Sequence, residues 1–328
     1  MHLVPPVKGM VVRRLLTLVP LVWLVVTLTF IVVQAAPGSY ADTIDNPRLS
    51  PETRAAIRAH YGTDEPVFEQ YLRWVGAVAT GDLGVSFMYK EPVTRVLARA
   101  LPPTAMLAGT GLAITLLLGL VLAVASAWRP YGWADRVITL LSLGLYGVPS
   151  FWLAGGLILV FSLVLGWLPP SHMHSVGASD LGTLASLFDL LRHLVLPAIC
   201  LGLLGAAGTA RYLRATLLDV HSSRFMLAAR ARGLPKWRLI WVHALRPALL
   251  PVITLFGLSL PVLVSGSVVV ETIFSWPGMG QVAFNAARAR DIPLILGATL
   301  VGAAAVILGN LVSDLMYAAV DPRARRRQ

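Results

Sequence analysis

The sequence has little charge. Asp, Glu, Lys and Arg make up 13% of its 328 residues, against about 25% in soluble domains. Hydrophobic residues make up 56% and the mean hydropathy is +0.73. Long uncharged runs of this kind belong in a bilayer rather than in a soluble core. Cys200 is the single cysteine, which excludes an internal disulfide. The three lysines are Lys8, Lys90 and Lys236, and none follows a glycine. The phosphate loop G-x-x-x-x-G-K-[ST] is therefore missing, and with it that route to ATP hydrolysis. Neither G-x-S-x-G nor H-E-x-x-H occurs, so hydrolase chemistry loses its usual footing. Ion-coupled carriers place acids or histidines inside their spans, and the interiors of the first three expected spans hold none. No catalytic, cofactor-binding or metal-binding residue is expected.

What is present is a succession of apolar runs. Leu15–Val33 is uncharged for 19 residues and follows Lys8, Arg13 and Arg14. At about 1.5 Å per residue it nearly matches the ~30 Å of hydrocarbon. Small residues follow at Ala35 and Ala36, as after a signal peptide, but the run exceeds the usual apolar core of about 7–15 residues. It is read as a retained first span entering from the cytoplasm. Residues 37–100 form a slightly acidic external loop. In it, Val67, Phe68, Tyr71, Leu72, Trp74 and Val75 recur at helical spacing, predicting an amphipathic helix laid on the membrane surface or on other spans. Gly81–Ser86 reads as a turn and Pro92–Ala100 as a second short helix.

Span two is expected over Leu101–Trp128, and Arg129–Arg136 returns the chain on the cytoplasmic side. Span three, Val137–Pro170, would measure about 51 Å as a straight helix, so a kink is expected at Pro149 beside Gly144 and Gly147. Ser171–Arg192 reads as an external loop. It holds His172 and His174 around Met173, a soft-metal arrangement without a third or fourth ligand nearby. Span four is placed at His193–Ala210, with Ala198, Gly202, Gly205, Ala206 and Gly208 giving it a small-residue face. Span five follows at Pro247–Val270, an external loop at Glu271–Pro293, and span six at Ile292–Ser313. Glu271 and Asp314 then stand at helix ends, a structural placement.

The fold class expected is an all-α polytopic membrane protein with six transmembrane helices and both termini cytoplasmic. Its parts are a segment 1–36 with the first helix, the external loop 37–100, a five-helix core 101–318 and a basic tail 319–328. The core carries a cytoplasmic loop over 219–250. In this topology the net charge of +11 collects on the cytoplasmic side, as the positive-inside rule requires.

One stretch interrupts the apolar pattern. From Arg211 to Arg246 the eight cations Arg211, Arg214, Arg224, Arg230, Arg232, Lys236, Arg238 and Arg246 face one acid, Asp219. Each would cost about 2.5–3.5 kcal/mol at the centre of a membrane helix, so the stretch belongs in water. Phe225–Arg232 reads as helix, Gly233 as its stop and Pro235 as the first turn of a second helix. At 100° per residue, Leu234, Trp237, Trp241 and Leu245 share one stripe, with Lys236, His243 and Arg246 opposite. Two readings follow: an interfacial helix anchored by Trp and Arg, or a rigid element docking into a partner, with Ala228, Ala229 and Gly233 allowing close approach.

Ala228-Ala229-x-x-x-Gly233 resembles the coupling-loop motif of the permease subunits of binding-protein-dependent ABC importers. The longer run AARARGLPKWRLIWVHALRPALLP (228–251) is similar to the dipeptide, oligopeptide and nickel branch of that family. The same branch is echoed by GDLGVS (81–86), PSFWLAGGLILVFS (149–162), LGWLPPS (165–171), RHLVLPA (192–198), VVVETIFSWPGMG (268–280), ARDIPL (289–294) and DLMYAAVDPR (314–323). The chain departs from the general motif at Leu227, where Glu is usual, at His243, and at Leu245-Arg246.

The resemblance implies the type I importer permease fold in the bacterial cytoplasmic membrane. It implies a second, similar permease, two ATPase subunits that bind ATP and Mg, and an external solute-binding protein. It also implies a coupling loop formed by Ala228, Ala229, Arg232, Gly233, Leu234, Lys236, Trp237, Arg238 and His243. Di- and oligopeptides are the leading solutes; nickel or another non-peptide solute, and an ion-coupled carrier, are the alternatives.

Overall fold

The computed structural model describes residues 7–35, 65–180, 182–245, 247–249 and 268–320. Among these the chain is helical, with an isolated β-bridge between Val85 and Pro92. We number the helices α1 (Val7–Ala35), α2 (Val67–Ala79), α3 (Val93–Trp128), α4 (Trp133–Tyr146), α5 (Ser150–Leu157), α6 (Thr183–His221), α7 (Arg224–Ala231), α8 (Lys236–Arg238), α9 (Val268–Ile273), α10 (Met279–Ala289) and α11 (Ile292–Val320). π-Helical turns continue α5 over Ile158–Val164 and α8 over Leu239–Ala244.

Among the described residues α3, α6 and the Ile292–Val312 part of α11 are each long and apolar enough to cross a membrane, and α4 with α5 supplies a fourth as a bent pair. The expected first span lies within α1, whose Pro20–Ala35 part is a shorter apolar helix. The expected fifth span falls largely on 251–267, outside the described residues, as do 36–64 and 321–328. The side chain of Asp314 is also outside them.

Three expectations about element boundaries change. The short helix from Pro92 and span two are one continuous helix, α3, which carries Pro102 and Pro103 in its interior. Span three does not merely kink. It breaks after α4, where Gly147 caps the helix, and resumes at Pro149 with a bend of 106°. Proline has no N–H to continue the ladder and pushes its predecessor out of the helical region. Finally, α6 begins at Thr183 rather than His193, so the second half of the expected 171–192 loop is helical. Leu184, Leu187, Phe188 and Leu191 recur there at helical spacing.

The centre of the fold is the α3–α6 contact. Small residues let the two backbones approach: a Cβ on Gly111 would meet Leu201 Cβ at 2.9 Å, and one on Gly202 or Gly205 would collide with Ile114 or Thr115. This is the small-residue packing of membrane helices, where close contact replaces the hydrophobic drive available in water. The amphipathic α2 packs Tyr71 and Trp74 against Val26, Phe30 and Leu296, and the Thr27 and Tyr71 hydroxyls lie 2.9 Å apart. It therefore rests on α1 and α11.

Candidate functional site

The basic loop grows directly out of α6. After His221, Ser222 and Ser223 turn the chain, and the Ser223 hydroxyl donates to Val220 O at 2.5 Å. The helix α7 follows, and Gly233 closes it with φ +71°. Its N–H donates to Arg230 O at 2.9 Å. A Cβ there would meet nothing within 4 Å, so backbone conformation rather than lack of room calls for glycine. Pro235 then caps α8 in extended conformation.

Two sets of side chains emerge. Met226, Ala229, Leu239, Ile240, Ala244 and Leu245 are buried against Ala123 and Val124 of α3 and Leu213 and Leu217 of α6, with Leu234 half-buried beside them. They root the loop on the two central helices. On the outside stand Leu227, at 55% exposure, Trp237, at 51%, and Trp241, at 46%. Phe225, Ala228, Arg232, Gly233, Lys236 and Arg238 are exposed with them, and His243 is half-buried. Lys236 Nζ lies 5.4 Å from the Trp128 ring centroid, and Arg238 stacks on Trp237 at 5.3 Å, so the aromatic faces hold the cations in place. Arg246 is outside the described residues.

The arrangement corrects the face expected from 100° periodicity. Trp237 and Trp241 are on the outer surface while Leu245 is inside. The π-helical turn shifts Leu245 out of the expected stripe: its i→i+5 bonding stacks residues five apart, and Leu239/Ala244 and Ile240/Leu245 are the buried pairs. The paired alanines also divide, with Ala229 in the root and Ala228 on the surface. The resulting outer face is aromatic, cationic and firmly rooted, which suits a docking element better than a helix held only by lipid headgroups.

Sequence reasoning missed the polar contacts that hold the frame. Arg214 donates from Nε and Nη2 to the two carboxylate oxygens of Asp135, each at 2.6 Å. Asp135 is buried and also accepts from the Ser126 hydroxyl and from the Tyr131 N–H at 2.7 Å. Glu271, fully buried, accepts from the Thr104 hydroxyl at 2.9 Å and the Gln281 N–H at 3.0 Å. Trp276 Nε1 donates to Pro103 O at 2.9 Å. Asp291 accepts from the Ser86 hydroxyl at 2.5 Å and the Met88 N–H at 2.9 Å. The GDLGVS and ARDIPL segments thus meet through Ser86 and Asp291. Glu271 ties the N-terminal part of α3 to the start of α10, a firmer role than its helix-end position suggested.

The two loop histidines have separate contacts. The His172 N–H donates to Phe274 O at 2.7 Å, and His174 Nδ1 lies 3.3 Å from Asp189. Among the described residues with side chains, no group of three His, Cys, Asp or Glu is placed to hold a metal.

Comparison with known proteins places this geometry in a family. The chain is 39% identical over 314 residues to the oligopeptide transport system permease protein AppB of Bacillus subtilis, covering 95% of this chain and 98% of that protein. It is 36% identical over 332 residues to the di/tripeptide transport system permease protein DppB of Pseudomonas aeruginosa, covering 97% and 99%. It is 35% identical over 316 residues to the glutathione transport system permease protein GsiC of Escherichia coli K12, covering 96% and 98%. Its fold is similar to a chain of the inward-facing MetNI methionine ABC transporter, with a TM-score of 0.50 at 19% identity over 69% of this chain and 96% of that one. Residues 8–108 match the N-terminal part of a family of transport-system membrane components, and residues 115–326 match its main part. The chain belongs to the family of binding-protein-dependent transport system inner membrane components.

Proposed function

We propose that this chain is one of two permease subunits of an ATP-driven importer of di- and oligopeptides. A second, similar permease completes the pathway, two ATPase subunits bind ATP and Mg, and an external binding protein delivers the solute. Both termini and the 219–250 loop face the cytoplasm, and the six-span arrangement places residues 37–100 outside. The observation that carries the peptide assignment is the nature of the relatives: AppB, DppB and GsiC, named for oligopeptides, di- and tripeptides and glutathione, each align with nearly the whole chain.

The loop is the mechanical connection in this account. Phe225, Leu227, Ala228, Arg232, Gly233, Trp237 and Arg238 form the face an ATPase would grip. Met226, Leu239 and Ile240 carry its displacement into α3 and α6. When the ATPases close on ATP, the loops of the two permeases are drawn together and the spans rock from inward- to outward-facing.

The test is reconstitution of the four-subunit complex in proteoliposomes, with peptide-loaded binding protein on one side and ATP on the other. Uptake should require both. Uptake driven by an ion gradient without ATP would overturn the proposal in favour of a secondary carrier.

A further inference from the structure

A cavity of about 920 Å³ opens between α4 and α6, lined by Thr139 and Tyr146 of α4 and by Gly205, Gly208, Thr209, Arg211, Tyr212 and Arg214 of α6. Its size lies within the roughly 300–1,000 Å³ of small-molecule sites. Arg211 is exposed on it. The neighbouring guanidinium, Arg214, is neutralised by Asp135 through two 2.6 Å hydrogen bonds. Arg211 meets no carboxylate among the described residues; its recorded contact is with the Tyr146 ring, whose centroid lies 5.6 Å from Cζ. Of the two arginines that line the cavity, Arg214 is thus paired with a carboxylate and Arg211 is not.

The helix face beside the charge is kept low. A Cβ on Gly208 would come no nearer than 4.0 Å to Tyr146 Cε2, its single neighbour within that distance. This glycine therefore faces open cavity, unlike Gly202, which is pressed against α3. Four of the lining residues, Thr139, Thr209, Tyr146 and Tyr212, carry hydroxyls. A guanidinium fork backed by an aromatic ring suits a planar carboxylate. Arg211 lies ten residues before the end of α6 at His221, about 15 Å along the helix, on the side of the cavity toward the basic loop.

We propose that this cavity is a transient binding site for the C-terminal carboxylate of the peptide in transit, with Arg211 as its anion-binding group. The proposal rests on the peptide-importer reading above. Its partner is the solute rather than the second permease, because a guanidinium without a carboxylate partner among the described residues lines a space of small-molecule size. The nearby coupling loop gives the site a means of release: movement of α6 relative to α4 changes the distance between Arg211 and Tyr146.

The experiment is single-turnover uptake by the complete reconstituted complex, using binding protein preloaded with either trialanine or trialanine amide, so that loading does not enter the comparison. The wild-type complex should move the free acid at least tenfold faster than the amide. Arg211→Gln should erase that preference by slowing the acid alone, and Arg211→Lys should restore part of it. Gly208→Leu, which fills the cavity, should slow both. Equal slowing of acid and amide by Arg211→Gln would identify a contact with the second permease or with lipid, and an unchanged acid-to-amide ratio would leave Arg211 outside the pathway; either overturns the site. Failure of the wild-type complex to move trialanine at all would instead overturn the peptide assignment on which the site rests.

Discussion

Arg214 holds Asp135 with a two-pronged grip, Nε and Nη2 each 2.6 Å from a different carboxylate oxygen, across a sequence separation of 79 residues. The pair pins the start of α4 to the C-terminal half of α6. Asp135 is buried and its guanidinium partner largely so. Removing one member strands the other, a loss of about 3–5 kcal/mol for buried pairs. Asp135→Ala should therefore lower the unfolding temperature of the detergent-purified protein sharply. The double variant with Arg214→Ala should lose less than the sum of the two single changes, as expected for residues in direct contact.

Asp291 and Ser86 make the corresponding connection on the other side. Asp291→Ala leaves the Ser86 hydroxyl and Met88 N–H without their acceptor, at about 1–3 kcal/mol per unsatisfied group. Hydrogen exchange at the Met88 amide should accelerate in this variant while exchange in α3 beyond Ala108 stays unchanged. Equal protection of Met88 in both proteins would show that the bond contributes nothing.

Gly278 and Gly155 provide a paired test of close packing. A Cβ on Gly278 would collide with the Glu271 carboxylate and the Thr104 hydroxyl, whereas one on Gly155 in α5 meets nothing within 4 Å. Gly278→Ala should cost about 1–3 kcal/mol through overpacking. Gly155→Ala should be neutral or stabilise by up to about 1 kcal/mol, because alanine loses less backbone entropy in a helix. Thermal unfolding in detergent reads both, and a stabilised Gly278→Ala would contradict the described turn.

The root and the face of the basic loop should separate by mutation. Met226 is 0% exposed, and truncating a buried methionine to alanine costs about 2–5 kcal/mol. Met226→Ala should loosen the loop and reduce stability. Trp237→Ala should leave the unfolding temperature nearly unchanged and weaken ATPase retention during co-purification.

Much of this architecture was legible in the sequence. Uncharged runs located α3, the bent pair and the apolar part of α11 because charge inside lipid is expensive. Pro149 marked the break after α4, and Gly233 with Pro235 marked the turn inside the loop. The separation of Leu245 from Trp237 and Trp241 was not legible: it depends on a π-helical turn that shifts the phase of the helix by widening it. Nor did sequence spacing point to Asp135 with Arg214, Ser86 with Asp291, or Thr104 with Glu271, separated by 79, 205 and 167 residues. Such partners are chosen by how the helices pack, and local pattern carries no record of that choice.

The most direct measurement of the coupling account is ATP-driven uptake by the reconstituted complex carrying Arg232→Glu together with Lys236→Glu. Both side chains are exposed, and neither roots the loop. The variant should insert, fold and unfold like the parent, lose its ATPase subunits on purification and take up no peptide. Normal uptake with the ATPases retained would contradict the assignment of this loop as the site where ATP hydrolysis is transmitted to the spans.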